Sequence, residues 1–117
     1  MMKDRFQTLK EKILEFRQAR DWEQFHDPKN LAEAISIEAG ELLANFLWKD
    51  VEGGRRLSES ELGNAREEAA DILIFLTYLS EELGFDLMEA AFDKVKKNGE
   101  KYPVDKSKGS SRKYTEL

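Results

Sequence analysis

The sequence predicts an all-α protein, a four-helix bundle, from three observations. Apolar residues recur at steps of three and four through four separate segments. Helix-start signatures precede three of them: Asp27-Pro28, Ser58-Glu-Ser-Glu61 and Asp86-Leu-Met-Glu89. The composition agrees, with 40% hydrophobic and 37% charged residues and only two prolines. The 117 residues suffice for one domain with a modest core, expected over 1–103 and followed by a flexible basic tail over 104–117.

The first helix is expected from about Lys3 to Ala19. Phe6, Leu9, Ile13 and Phe16 form its apolar stripe, and Lys10, Glu11, Lys12, Glu15 and Arg17 its other face. Next comes Arg20-Asp-Trp-Glu-Gln-Phe-His-Asp-Pro28, which sets Trp22, Phe25 and His26 together where small polar residues are commoner. Such rings either plug the end of a core or present flat faces to a ligand, and the residues alone leave both open. Asp27 and Pro28 open the second helix as N-cap and first helical residue. It is expected to reach about Trp48, with Asp50 and Gly53-Gly54 stopping it.

Leu31, Ile35, Ile37, Leu42, Leu43, Phe46 and Leu47 spread over much of that helix's circumference. A helix apolar on more than one side is central in a bundle or shared between subunits, so a homo-oligomer is expected. The third helix starts near Ser58 and runs to Leu83, with Gly84 as its left-handed stop. Its run Ile72–Leu79 is apolar all round and is expected to be buried. The fourth opens at Asp86 and ends between Lys97 and Lys101; Lys94 and Asn98 stand four residues apart on it, and Tyr102 follows one turn later. Pro103 to Leu117 is rich in Lys, Ser and Gly and has no periodicity.

Four acids stand out within this frame: Glu38-Ala-Gly-Glu41 and Glu68-Ala-Ala-Asp71. The i, i+3 spacing sends both carboxylates of a pair from one helix face, and two such helices packed antiparallel would surround one small volume with four. On a helical wheel Glu38 and Glu41 fall between Leu31, Ile35 and Leu42 on one side and Ile37 and Trp48 on the other, while Glu68 and Asp71 fall beside Ile72, Phe75 and Leu79. Carboxylates among apolar residues are costly unless paired, protonated or bound to a cation. No Lys or Arg takes a comparable place in those two stripes, which disfavours a plain interhelical ion pair. The pattern reads as a divalent-metal site.

An all-carboxylate site selects hard cations, Mg²⁺ or Mn²⁺. A di-iron centre wants Glu-x-x-His pairs, and the one histidine, His26, precedes both acidic pairs. Carboxylate-bound Mg²⁺ commonly meets phosphate. Lys94 could then hold phosphate charge, Trp22, Phe25 and Trp48 could stack on a base, and His26 or Asn98 could bond to its edge. Net charge of −5 and a pI near 5.0 argue against nucleic-acid binding. There is no cysteine, charged residues from Lys3 onward leave no signal peptide, and no run is long enough to cross a bilayer, so a cytoplasmic protein is expected.

Glu38-x-x-Glu41 followed by Glu68-x-x-Asp71-Ile-Leu-Ile-Phe75 resembles the MazG-like all-α nucleotide pyrophosphohydrolases. Arg20 to Leu31, Phe46-Leu-Trp48 and Lys97-Asn98-Gly-Glu-Lys-Tyr-Pro103 match the branch that contains dCTP pyrophosphatase, and the likeness covers roughly residues 5 to 105. The resemblance implies Mg²⁺-dependent cleavage of a (deoxy)nucleoside triphosphate, dCTP or a modified dCTP, to monophosphate and pyrophosphate, in clearance of non-canonical nucleotides. It implies that Glu38, Glu41, Glu68 and Asp71 hold the metal, with Glu38 and above all Glu41 orienting or deprotonating the attacking water. It also implies that Trp22, His26 and Trp48 surround the base, that Lys94, Asn98 and Tyr102 contact phosphate and sugar, and that the assembly is a homotetramer built as a dimer of dimers. One departure is Ile37, where many relatives carry a further Glu. Two other readings stand beside this one: the same chemistry on dUTP or a phosphoribosyl nucleotide, and a non-catalytic helical interaction module.

Overall fold

The computed structural model describes residues 4–49 and 57–117. Among the described residues all regular structure is helical: α1 (Arg5–Ala19), α2 (Pro28–Ala44), α3 (Glu59–Leu83), α4 (Leu87–Lys101) and α5 (Val104–Ser107), with 3₁₀ turns at Glu23–Phe25 and Tyr114–Glu116. The chain divides into two compact units, Met1–Gly84 and Phe85–Leu117.

Local chemistry sets the helix ends. Asp4, Asp27, Ser58 and Asp86 each accept a hydrogen bond from the amide three residues on, so every long helix has a side-chain N-cap. At Ser58 the capping box is complete, since the Ser58 amide also donates to Glu61 Oε1 at 3.0 Å. Gly84 ends α3 in the left-handed region at φ 73°, as expected. A Cβ there would meet no atom within 4 Å, so Gly84→Ala carries only the backbone penalty. It is expected to lower unfolding free energy by about 1 kcal/mol, read by urea denaturation.

The second helix departs from expectation. Regular α-helix stops at Ala44, and 3₁₀-type bonds from the amides of Asn45, Phe46 and Leu47 to carbonyls three residues back tighten the chain as far as Trp48. The Asn45 side chain donates to the Glu41 and Leu42 carbonyls, occupying acceptors that a continuing helix would use. Trp48 itself adopts a positive φ of 67°. The stop expected from Asp50 and Gly53-Gly54 lies outside the described residues.

Within the first unit α2 packs along α3, and α1 against α3. Among the described residues the buried apolar side chains are few: Ile13 from α1, Leu31 from α2 and Tyr78 from α3, with Leu14, Ile74, Phe75 and Leu79 partly buried around them. The run Ile72–Leu79 is less buried than its composition predicts: Thr77 and Tyr78 are buried and the others only partly so. Ile37 and Leu43 on α2, and Leu47 just after it, are more than 60% exposed.

In the second unit Tyr102 closes α4, and the chain beyond Pro103 forms α5 and then a terminal turn that brings Tyr114 edge-on to Tyr102, with ring centroids 5.9 Å apart. Lys101 Nζ lies 4.8 Å from the Tyr114 ring centre.

Candidate metal and nucleotide site

The α2–α3 packing brings acids from the two helices together. Glu38, Glu41 and Glu68 each present a carboxylate oxygen, all within 4.8 Å of one another. Glu38 and Glu68 are half-buried and Glu41 is exposed. Asp71, one turn beyond Glu68, is exposed and stands outside that group of three. Its charge still raises the proton affinity of Glu41 and Glu68.

Like charges this close cannot all ionise freely. Glu41 is held above its ordinary 4.5, first by a hydrogen bond shared with Glu68 and then by the Glu68 charge. Glu68 is likewise raised, first by a hydrogen bond with Glu38 and then by burial. Glu38 Oε2 is buried and has no hydrogen-bond partner. An orphaned carboxylate oxygen in a cluster that repels itself is what a hard cation would relieve, so the residues present fit Mg²⁺ or Mn²⁺.

A raised folded-state pKa means the folded protein binds more protons, so this contribution to stability is full below the unfolded value and fades as pH rises through the folded one. In EDTA the melting temperature contributed by the cluster is expected to fall as pH rises from 4.5 upward, and Mg²⁺ should flatten that decline. Melting curves across pH with and without Mg²⁺ check it.

The first unit carries a half-open cavity of about 320 Å³, within the roughly 300–1,000 Å³ range of small-ligand sites. Its walls are mostly apolar and aromatic: Ile13 and Phe16 from α1, Trp22 and His26 from the connection, and Ile74, Phe75 and Tyr78 from α3. Lys12 and Asp71 are the charged residues among its lining, so one side chain of the second acidic pair faces the cavity.

The connection is built to place its rings. Asp21 takes a positive φ of 54°, a conformation Asp tolerates, and the Trp22 amide donates to the Arg17 carbonyl while the Asp21 amide donates to that of Gln18. This is a Schellman closure of α1, and its usual apolar contact is made by Trp22 edge-on to Phe16, centroids 5.7 Å apart. Asn30 secures the other end, its side chain donating to the Phe25 carbonyl. His26 stacks tilted on Tyr78 at 4.6 Å, and its Nδ1 is buried without a partner. Burial, then the Arg17 charge, pushes the His26 pKa below its ordinary 6.5 and favours neutral imidazole.

Of the residues singled out from sequence, Glu38, Glu41 and Glu68 converge, and Trp22, His26 and Asp71 line the cavity. Phe25 is 61% exposed and not among the lining residues. Trp48 is 94% exposed and borders a shallow depression with Gly40, Leu43 and Leu47. Lys94, Asn98 and Tyr102 all belong to the second unit, the first two exposed on α4 and Tyr102 against Tyr114. Sequence reasoning missed Phe16 and Ile13, read there as core packing, and Tyr78, whose phenol hydroxyl beside Thr77 in an otherwise apolar run was the available signal. That hydroxyl donates to the Ile13 carbonyl at 3.1 Å.

The chain is similar to dCTP pyrophosphatase 1 of Bos taurus and of Homo sapiens, 45% identical to each over 105 residues. These alignments cover 88% of this chain and 62% of each relative, so the chain spans about 62% of the length of the curated relatives it matches. Its fold is similar to that of a pyrophosphatase from Archaeoglobus fulgidus, with a TM-score of 0.82 and 38% identity, over 88% of this chain and 96% of that one. The profile of the MazG-like family matches residues 34–117. The match thus includes the segment beyond Pro103, which the motifs placed outside the resemblance, because a short Lys- and Ser-rich stretch has no apolar period to read. With both acidic pairs inside the matched region and relatives this similar over most of its length, the chain belongs to the MazG-like family.

Proposed function

We propose that this chain is a Mg²⁺-dependent nucleoside triphosphate pyrophosphohydrolase that cleaves dCTP, or a modified dCTP, to monophosphate and pyrophosphate. The observation that carries this reading is adjacency. Three convergent carboxylates lie next to an aromatic cavity, and the chain links them through Asp71, which is i, i+3 from Glu68 and lines the cavity. A base held in the cavity would extend its phosphates toward the acids.

In this reading Glu38, Glu41, Glu68 and Asp71 hold the cation. When bound it supplies charge neutralisation and Lewis-acid polarisation of the triphosphate. Glu41 would orient the attacking water and accept its proton, with Glu38 alongside. The water's oxygen bonds to the α-phosphorus as the bond to the bridging oxygen breaks, and pyrophosphate leaves. Trp22 and His26 receive the base from the first unit. Trp48 is assigned to the base as well, and its exposure at a positive φ suits a residue that completes a site on a second copy. Lys94, Asn98 and Tyr102 are assigned to phosphate and sugar.

The assembly proposed is a homotetramer of four-helix subunits, formed over 1–103, with 104–117 as an appended basic segment. The exposed apolar side chains of α2 and the small buried core support it, since large apolar patches mark association surfaces. Among the described residues no helix is long and apolar enough to cross a membrane, and the role proposed is cytoplasmic clearance of unwanted nucleotides. Stacking alone does not distinguish bases, so the substrate assignment leans on the named relatives. A panel of each dNTP and NTP with 5-methyl-dCTP, in Mg²⁺ and in EDTA, tests it by chromatography of products. Magnesium-dependent monophosphate and pyrophosphate, strongest with a cytosine deoxynucleotide, is the expected result; diphosphate and orthophosphate would refute the bond assigned.

A further inference from the structure

Arg17 is 5% exposed: counted from sequence with the solvated charges of α1, it stands four residues after Ile13 and shares that buried face. Its Nη1 is 2.8 Å from Glu82 Oε1, an ion-pair contact without the alignment of a hydrogen bond, and its Nε is buried with no partner. Such an arrangement is a poor device for stability, because an apolar side chain of similar volume would fill the space without the desolvation penalty. What Arg17 touches suggests another use. Its guanidinium carbon lies 5.1 Å from the Tyr78 ring centre, within cation–π range. Tyr78 is pinned at its far end by the hydroxyl bond to Ile13, and its face carries His26. The Arg17 carbonyl accepts the Trp22 amide at 3.0 Å, closing the turn that sets Trp22 on Phe16. One residue outside the cavity lining thus touches both aromatic walls, its side chain lying on Tyr78, which His26 meets, and its backbone holding Trp22.

We infer that Arg17, anchored by Glu82, is a positioning residue that sets the width of the aromatic cavity and so which base it selects. The inference rests on the reading of the cavity as a base site. Glu82 serves as the tether; its side chain is about one-third exposed and can rehydrate if Arg17 is removed.

The test uses Arg17→Met, which keeps length and helix propensity, and Glu82→Gln, a milder change at a partly exposed position. Binding of dCMP, dTMP and dAMP is measured by calorimetry in EDTA, and kcat and KM for the three triphosphates in Mg²⁺. Arg17→Met is expected to weaken binding of the preferred monophosphate about tenfold, with the ratio between preferred and least preferred falling toward one and kcat within about twofold. Glu82→Gln should move the same ratio in the same direction, less far. A merely structural Arg17 would lower the melting temperature and leave the ratio unchanged, and that result in both variants overturns the proposal. Wild-type protein that binds no monophosphate overturns it as well. Wild-type protein that binds selectively but turns over no triphosphate refutes the pyrophosphohydrolase reading while the binding ratio still decides the role of Arg17.

Discussion

Glu41→Gln is expected to lower kcat/KM roughly 10³-fold without unfolding the protein. The side chain is exposed, so the substitution leaves no cavity and buries no unpaired group. It removes one of three carboxylates whose oxygens lie within 4.8 Å, and with it a charge that the neighbours oppose. The metal-free variant should therefore melt at the wild-type temperature or above it, while the rise in melting temperature on adding Mg²⁺ shrinks. Activity and Mg²⁺-dependent melting need to be measured together. Lost turnover with an undiminished Mg²⁺ response would mean that Glu41 acts on the water alone; wild-type turnover would remove it from the site. Asp71→Asn is expected to act in the same direction on turnover.

Trp22→Ala is expected to raise KM about tenfold with kcat nearly unchanged, because base stacking on an aromatic is worth about 1–3 kcal/mol and is the same in ground and transition states. Trp22 is 42% exposed, meets Phe16 and His26 edge-on and lines the cavity, which leaves ring surface available to a ligand. The backbone turn that holds it uses its amide rather than its ring and survives the substitution. Steady-state kinetics on the preferred nucleotide decide the matter. A fall in kcat with constant KM would place Trp22 in the chemistry instead of the binding, and no change in either would remove the ring from the base site.

How much of this was legible beforehand depends on the range of the interaction. Asp27-Pro28, Ser58 with Glu61, and Gly84 act within one helical turn, and their positions in the chain were enough to place three helix boundaries. The i, i+3 pairs Glu38/Glu41 and Glu68/Asp71 are equally local, and their apolar setting marked them as a candidate site before any packing was known. The end of α2 was not legible, because Asn45 competes with the helix through its own side chain, and an apolar period carries no record of that.

Sequence by itself determined the all-α class, the helix starts and the acids. Only tertiary structure decided that three of the four acids converge, that Asp71 turns to the cavity, that Trp22 and His26 line it while Phe25 does not, and that Arg17 is buried behind Tyr78. The physical reason is distance along the chain. A cap or an i, i+3 pair is fixed by neighbours a turn away, whereas the Tyr78 hydroxyl meets the Ile13 carbonyl across 65 residues, and such a contact exists only once α1 has packed on α3.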